Sequence, residues 1–228
     1  MSVTRGIGIA AVALSTVLLA ACAGTSVPGQ ATPSATVVAS DAPTPSAAPQ
    51  AAGIVISTAA ITVVDEAGAT MSSYDYFEPT SDVVAGLTEV FGSAPKDTPF
   101  AGGGDQPPAI WHEWGGFRLV DDDYAGQAPL YPNHWVALTA ASADGLQLST
   151  LDGIALGATT SEVAANHSDV LNPWTDSDGT AHTDLWIDYR PDPTEGATVD
   201  NPVMGVWISG PTDGAVTRIV APSRNWGP

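Results

Sequence analysis

Residues 80–92, TSDVVAGLTEVFG, and residues 160–172, TSEVAANHSDVLN, are alike at an offset of 80 without a gap. Thr80/Thr160, Ser81/Ser161, Val83/Val163, Ala85/Ala165 and Val90/Val170 are identical. Asp82 answers to Glu162, Glu89 to Asp169 and Phe91 to Leu171. A cap, an apolar face and an acidic pattern thus coincide, and they divide the second part of the chain into two stretches, 53–144 and 145–228.

Both segments read as helices of about three turns. Thr80 and Thr160 are expected N-caps, with Pro79 ahead of the first, and Thr159 with Glu162 offers a capping box as an alternative. Asp82 and Glu162 fall at the positive ends of the helix dipoles. Val83, Leu87, Val90 and Phe91 share one face, as do Val163, His167, Val170 and Leu171. Gly92 and Asn172 suit left-handed C-terminal positions.

Strand patterns flank each helix: 54–64, 70–77, 110–114, 117–120 and 135–139 in the first stretch. In the second they are 146–148, 154–156, 185–189, 203–209 and 216–220. Turns are expected at Gly115-Gly116, Asp144-Gly145, Asp152-Gly153 and Pro211–Gly214. Helices are too few for βαβ crossovers. The expected fold is α+β: two tandem repeats, 53–144 and 145–228, each a short helix packed on its own antiparallel sheet.

The run LDGIALGATTSEV, Leu151–Val163, with the Trp-rich meander after it, resembles the tandem repeats of the beta-lactamase-inhibitor-protein-like fold. Small outer-membrane assembly lipoproteins of the SmpA type share the single repeat. The resemblance spans roughly 53–228 and implies proteins that bind other proteins and are not enzymes. The first stretch departs from the motif, with FEPTSDV where the second has GATTSEV.

The only cysteine is Cys22, so no disulfide forms within the chain and the folded part must hold by its core. Before Cys22 stand Arg5 and the apolar stretch GIGIAAVALSTVLLA, too short for a membrane span and suited to a signal-peptide core over 1–21. Leu19-Ala20-Ala21-Cys22 resembles the lipobox of bacterial lipoproteins. That resemblance implies diacylglycerol on the Cys22 thiol, cleavage before Cys22 and an anchor on the outer face of the cell membrane. From Thr25 the chain runs TSVPGQATPSATVVASDAPTPSAAPQAAG, without an aromatic residue. This composition cannot repay the entropy of ordering, so 22–52 is expected to be the lipidated terminus and an extended linker.

Six Lys and Arg face 25 Asp and Glu; Arg5 leaves with the signal peptide, so the mature chain carries 5 − 25 = −20. Such charge disfavours nucleic acid and anionic headgroups. It suits an envelope protein or cell-wall partner with a basic surface. All seven Trp lie beyond residue 110. Trp111 and Trp114 have odd spacing, and Trp186 and Trp207 each precede an isoleucine, so one neighbour of each pair should enter the core and the other face outward. Trp111, Trp114, Trp186 and Trp207 are therefore the candidate binding aromatics.

Other groups point to no chemistry. His112, His134, His167 and His182 form no metal-binding motif, and His167 takes the place that Leu87 holds in the first helix. Asp121-Asp122-Asp123 beside Tyr124 reads as a solvated loop. Asp176-Ser-Asp178-Gly179 with Asp184 falls short of a calcium loop, whose closing Glu would stand at Ile187. No nucleophile elbow, S-x-x-K or phosphate loop occurs. No catalytic residue, metal ligand or cofactor is assigned. The expectation is a non-enzymatic lipoprotein whose acidic head binds a protein or wall ligand. The alternatives are an envelope hydrolase using a carboxylate pair, and a structural lipoprotein with no specific ligand. Cys22→Ser should abolish incorporation of labelled palmitate and leave an unprocessed precursor; undiminished labelling in that variant contradicts the anchor.

Overall fold

The computed structural model describes residues 49–103, 107–122, 132–167, 171–190 and 204–224. Cys22, most of the linker, Asp123, Tyr124, Asp169, Val170, Val203 and Trp226 lie outside the described residues. The described residues all belong to one compact unit, Ser46–Pro228.

Alternation writes the first three strands. In β1 (Ala51–Ile56) and β2 (Ala60–Asp65), Ile54, Ile56, Ile61 and Val63 are buried at every second position. β1 starts inside the expected linker, at Ala51. Asp65 turns the chain into β3 (Thr70–Asp75), its Oδ1 accepting the N–H groups of Ala67 (2.9 Å) and Ala69 (2.8 Å). Helix α1 (Thr80–Phe91) follows as expected, with Val83 and Leu87 buried and Gly92 left-handed at φ 68°.

Two expectations about the helix starts need correction. Pro79 and Thr159 are the N-caps, and neither start has a side-chain cap bond. Thr80 and Thr160 are instead the first helical residues. Thr80 Oγ1 donates to Asn133 O at 3.2 Å, while Thr160 is fully buried and its backbone N–H donates to Gly214 O at 2.9 Å. A tertiary contact has taken the Thr80 hydroxyl from its local role, while the buried Thr160 hydroxyl has no hydrogen-bond partner among the described residues.

Helix α2 (Thr160–Asn166) is also shorter than its pattern. Leu171 and Asn172 fall in a strand, β10 (Leu171–Thr175), so Asn172 is not a helix cap and Leu171 is exposed. Pro173 is incompatible with a continuing helix, and pairing with the ten-residue β11 (Ala181–Arg190) captures this segment. The segment 154–156 is not a strand; Thr150 and Ile154 close a loop there, through Thr150 N to Ile154 O (2.8 Å) and Ile154 N to Thr150 Oγ1 (3.1 Å).

The remaining strands are β4 (Lys96–Phe100), β5 (Ala109–Trp114), β6 (Phe117–Asp121), β7 (Trp135–Leu138), β8 (Ser142–Ala143), β9 (Leu146–Thr150), β12 (Met204–Pro211) and β13 (Arg218–Arg224). A small sheet has the order β3-β2-β1-β9-β8, with β1 and β9 parallel. A large antiparallel sheet has the order β10-β11-β12-β13-β7-β6-β5-β4. Each helix is therefore associated with a sheet in an α+β architecture, but the two meanders do not form separate sheets. They fuse where β7 meets β13, with Leu138 opposite Ile219, Ala137 opposite Val220 and Val136 opposite Ala221.

Burial explains the fusion. Val136, Leu138, Ile219 and Ala221 are buried on one face, and Ala137 and Val220 on the other. Either strand left as an edge would expose apolar surface and unpaired backbone groups. The actual edges, β4 and β10, carry Pro99 and Pro173, which suit an edge because they need no ladder donor.

One core joins these parts. Ile54, Ile56 and Leu148 of the small sheet meet Val83, Leu87 and Val163 of the helices and Trp114, Phe117, Leu119, Leu185, Ile187, Val206 and Ile208 of the large sheet. Val163→Asp should destabilise the head by roughly 2–5 kcal/mol in urea titrations, because it puts an unpaired charge in this core. A midpoint within experimental scatter of wild type contradicts the packing.

Candidate functional site

The large sheet has an inner face in the core and an outer face opposite. Strand alternation assigns each side chain: Arg118 lies between Phe117 and Leu119, Trp186 beside Ile187, Trp207 beside Ile208, and Arg218 beside Ile219, where each named apolar neighbour is buried. These four, with Trp111, are on the outer face. The expected segregation of Trp and Ile neighbours is present. Trp114 takes the inner face, 2% exposed, stacked on Phe91 with centroids 5.2 Å apart and donating Nε1–H to Ser93 O at 2.9 Å.

Cross-strand register brings the outer aromatics into two ladders. In the first, Phe100 of β4 stacks on Trp111 of β5 (5.1 Å, 16°), and the Arg118 guanidinium of β6 lies 4.2 Å over the same indole. Arg118 also donates through Nε (2.9 Å) and Nη2 (2.7 Å) to Glu113 Oε1. In the second, Trp186 of β11 stacks on its direct partner Trp207 of β12 (6.1 Å, 16°), with the Arg218 guanidinium of β13 4.6 Å from the Trp207 ring centroid. Stacking and cation–π contacts fix these rings and extend the long cationic side chains over them. Val120, Ala137 and Val220 are buried in the strands between the ladders.

Trp174, on the edge strand β10, is 42% exposed and stacks on His182 at 4.4 Å. Trp111, Trp135, Trp186 and Trp207 are half-buried. Sequence reasoning picked out Trp111, Trp186 and Trp207, wrongly included Trp114, whose ring is in the core, and missed Phe100, Arg118, Trp174 and Arg218. Strand alternation alone puts Arg118 and Arg218 outward; their seats on particular rings follow from pairings between distant segments.

Histidines meet single acids: His112 Nδ1 is 2.7 Å from Asp97 Oδ1, His182 Nε2 3.1 Å from Asp176 Oδ2, and His167 Nδ1 4.0 Å from Asp152 Oδ2. Among the described residues no three or more His, Cys, Asp or Glu side chains converge as a metal site. Asp176, Asp178 and Gly179 build the β10–β11 hairpin turn: Asp176 Oδ1 accepts N–H from Thr180 (2.9 Å) and Asp178 (3.0 Å). The Thr180 N–H and then His182 hold the Asp176 pKa below the ordinary value. Asp184 stands apart on the outer face, buried and accepting from Ser209 Oγ at 2.5 Å.

His134, which the sequence left undistinguished, is fully buried beside Tyr76, their ring centroids 5.7 Å apart. Its Nδ1 is 3.5 Å from Thr80 Oγ1. Burial lowers its pKa to about 4, against a weaker opposing pull from Asp75. Burial likewise raises the Tyr76 phenol, helped by Asp188 and Asp75.

No protein-family model matches the chain, and neither a curated protein nor a solved structure does so.

His134 makes stability pH-dependent. The unfolded imidazole titrates near 6.5 and the folded one at about 4, so between these values the unfolded chain binds the extra proton. The contribution is full above pH 6.5 and is lost as pH falls to about 4. The loss amounts to about 3 kcal/mol. His134→Gln should flatten that part of the stability–pH curve in urea titrations; parallel curves for the two proteins contradict the assignment.

Proposed function

We propose that the chain is a non-enzymatic lipoprotein, held by lipid on Cys22 at the outer face of the cell membrane, whose head binds a protein partner of the envelope. The contact surface in this reading is the outer face of the large sheet. The observation that carries it is the placement of Trp111, Trp186 and Trp207 in half-buried, stacked positions on the face away from the core. Rigid aromatic rings offer large contact area at low entropy cost and recur at binding hot spots.

We also read the two helix–meander stretches as a duplicated unit. Support comes from the strand order, which mirrors itself about the β7–β13 junction. Each helix begins on a Thr, and each start bonds to a residue shortly ahead of the last meander strand, Asn133 O or Gly214 O. The edge strands match as well, with Pro99-Phe100 in one and Pro173-Trp174 in the other. The resemblance to the inhibitor-protein-like repeats, whose members bind proteins, agrees with this reading. A net charge of −19 favours a partner whose surrounding surface is basic, and association should slow as salt rises.

Cross-linked capture from solubilised envelope tests the surface. The double variant Trp186→Ala/Trp207→Ala should weaken capture at least tenfold, since truncating a hot spot costs about 2 kcal/mol or more. Circular dichroism must report a folded head. Capture at wild-type strength by a folded double variant removes the aromatic surface from consideration.

A further inference from the structure

The cations of this acidic chain are unevenly placed. Four Lys and Arg side chains are described, and three of them, Lys96, Arg118 and Arg218, project from the outer face of the large sheet. Lys96 is opposite Glu113, Glu113 opposite Arg118, and Arg118 opposite Ala137. Ala137 is in turn opposite Val220, two residues from Arg218. The two arginines therefore flank β7 at the place where the meanders join, Arg118 on the row of Ala137 and Val220 and Arg218 one outward position along β13. Two interstrand spacings and one two-residue step put their Cα atoms on the order of 12 Å apart, within the joint reach of two long side chains.

Neither guanidinium is free to swing away at no cost, because each rests on an indole, Trp111 for Arg118 and Trp207 for Arg218. Arg118 uses Nε and Nη2 on Glu113, which leaves Nη1. Arg218 keeps part of its surface exposed, and among the described residues neither an ion pair nor a hydrogen bond engages its guanidinium. The nearby carboxylate of Asp184 is occupied by Ser209. Burial lowers the Arg218 pKa, Asp184 opposes the shift and Arg118 adds to it, so the two like charges act on each other across β7. Two like charges flanking one strand, one engaged on a single side by Glu113 and the other unpaired among the described residues, suit an anion site before its ligand arrives.

We propose that Arg118 and Arg218 form a clasp for one carboxylate, an Asp or Glu side chain of the protein partner, at the centre of the outer face. This rests on the reading of that face as the contact surface. One carboxylate fits the donors: one oxygen for Arg118 Nη1 and one for the Arg218 fork. A polyanion fits poorly, because its further charges would meet the acidic residues of a chain at −19. The partner thus presents a single acid within a neutral or basic surround, and Trp111 and Trp207 shield the pair from water.

The test is an NMR titration of the arginine Nε–Hε signals in the purified full chain, with sodium acetate, sodium phosphate and sodium chloride at matched ionic strength. Acetate should give saturable shifts at Arg118 and Arg218 and none at Arg190. Arg218→Gln should weaken acetate binding about tenfold, the size expected for one charge-assisted hydrogen bond. Arg118→Gln should do the same, which keeps the test alive if the first variant fails to fold. Arg218→Lys should retain the charge and still lose affinity, because the planar fork is gone. Equal shifts with chloride overturn the clasp, as does phosphate binding tenfold tighter than acetate. The surface and the clasp fail separately. Partner capture indifferent to Arg218→Gln overturns the clasp alone; an acetate site that needs both arginines, in a chain whose capture ignores Trp186→Ala/Trp207→Ala, supports the clasp and removes the aromatic contact.

Discussion

Between Val136–Leu138 and Ile219–Ala221 the chain closes its two meanders into one sheet, through pairs separated by more than eighty residues of sequence. With Cys22 as the sole cysteine, no covalent cross-link shares that task. The junction buries apolar side chains on both faces, which neither meander could do alone, and it removes two strand edges at once. Helices, small sheet and outer ladders all take their positions from the surface it creates. The remaining edges fall on β4 and β10, where Pro99 and Pro173 suit a strand that is paired on one side only.

Polar clips set how the layers lie on that sheet. β11 bulges between Ile187 and Arg190, and Asp188 there is left-handed at φ 50°. It reaches the β1–β2 turn: Thr58 N–H donates to Asp188 Oδ2 at 2.7 Å and Thr58 Oγ1 donates to Asp188 O. Tyr76 OH donates to Ser57 O at 3.1 Å beside them. On the other side Asn133 Nδ2 donates to Phe77 O (2.7 Å) and Glu78 O (3.0 Å), which holds the approach to α1. His134 follows directly and is kept neutral by burial. Bonded polar groups add directional constraint where apolar contact is nondirectional, and they fix the pose of α1 and the small sheet against the large one.

The outer face is built on the same register as the core but serves another purpose. Its rings stack on one another and under guanidinium groups, so a chain poor in cations places Arg118 and Arg218 where aromatic surface supports them. Half-burial matters here: enough of each indole is packed to hold it still, and enough is open to meet a partner. On this face the cations share the surface with Glu113, which pairs with Arg118, and with Asp184, which accepts from Ser209, so the acidic excess of the chain is locally offset.

Much of the fold was legible in local pattern. The helical span of α1, the glycine turns at Gly115 and Gly145, and the opposite facing of Trp111 and Trp114 follow from periodicity and backbone freedom over a few residues, though not which of the two indoles is the outward one. Those properties depend on neighbours in sequence, so the sequence alone determined them. It failed where a distant partner outbid a local preference. Leu171 and Asn172 continued a helical pattern but paired with β11, Thr80 and Thr160 left their capping roles, and the prolines of β4 and β10 hid two strands. Only the tertiary structure decided that β7 meets β13, that Arg118 and Arg218 come to flank Ala137, and that His134 is sealed from water. Each of these is a matter of register between segments far apart in the chain, and register is chosen by the summed burial of whole faces, which no single window of sequence contains.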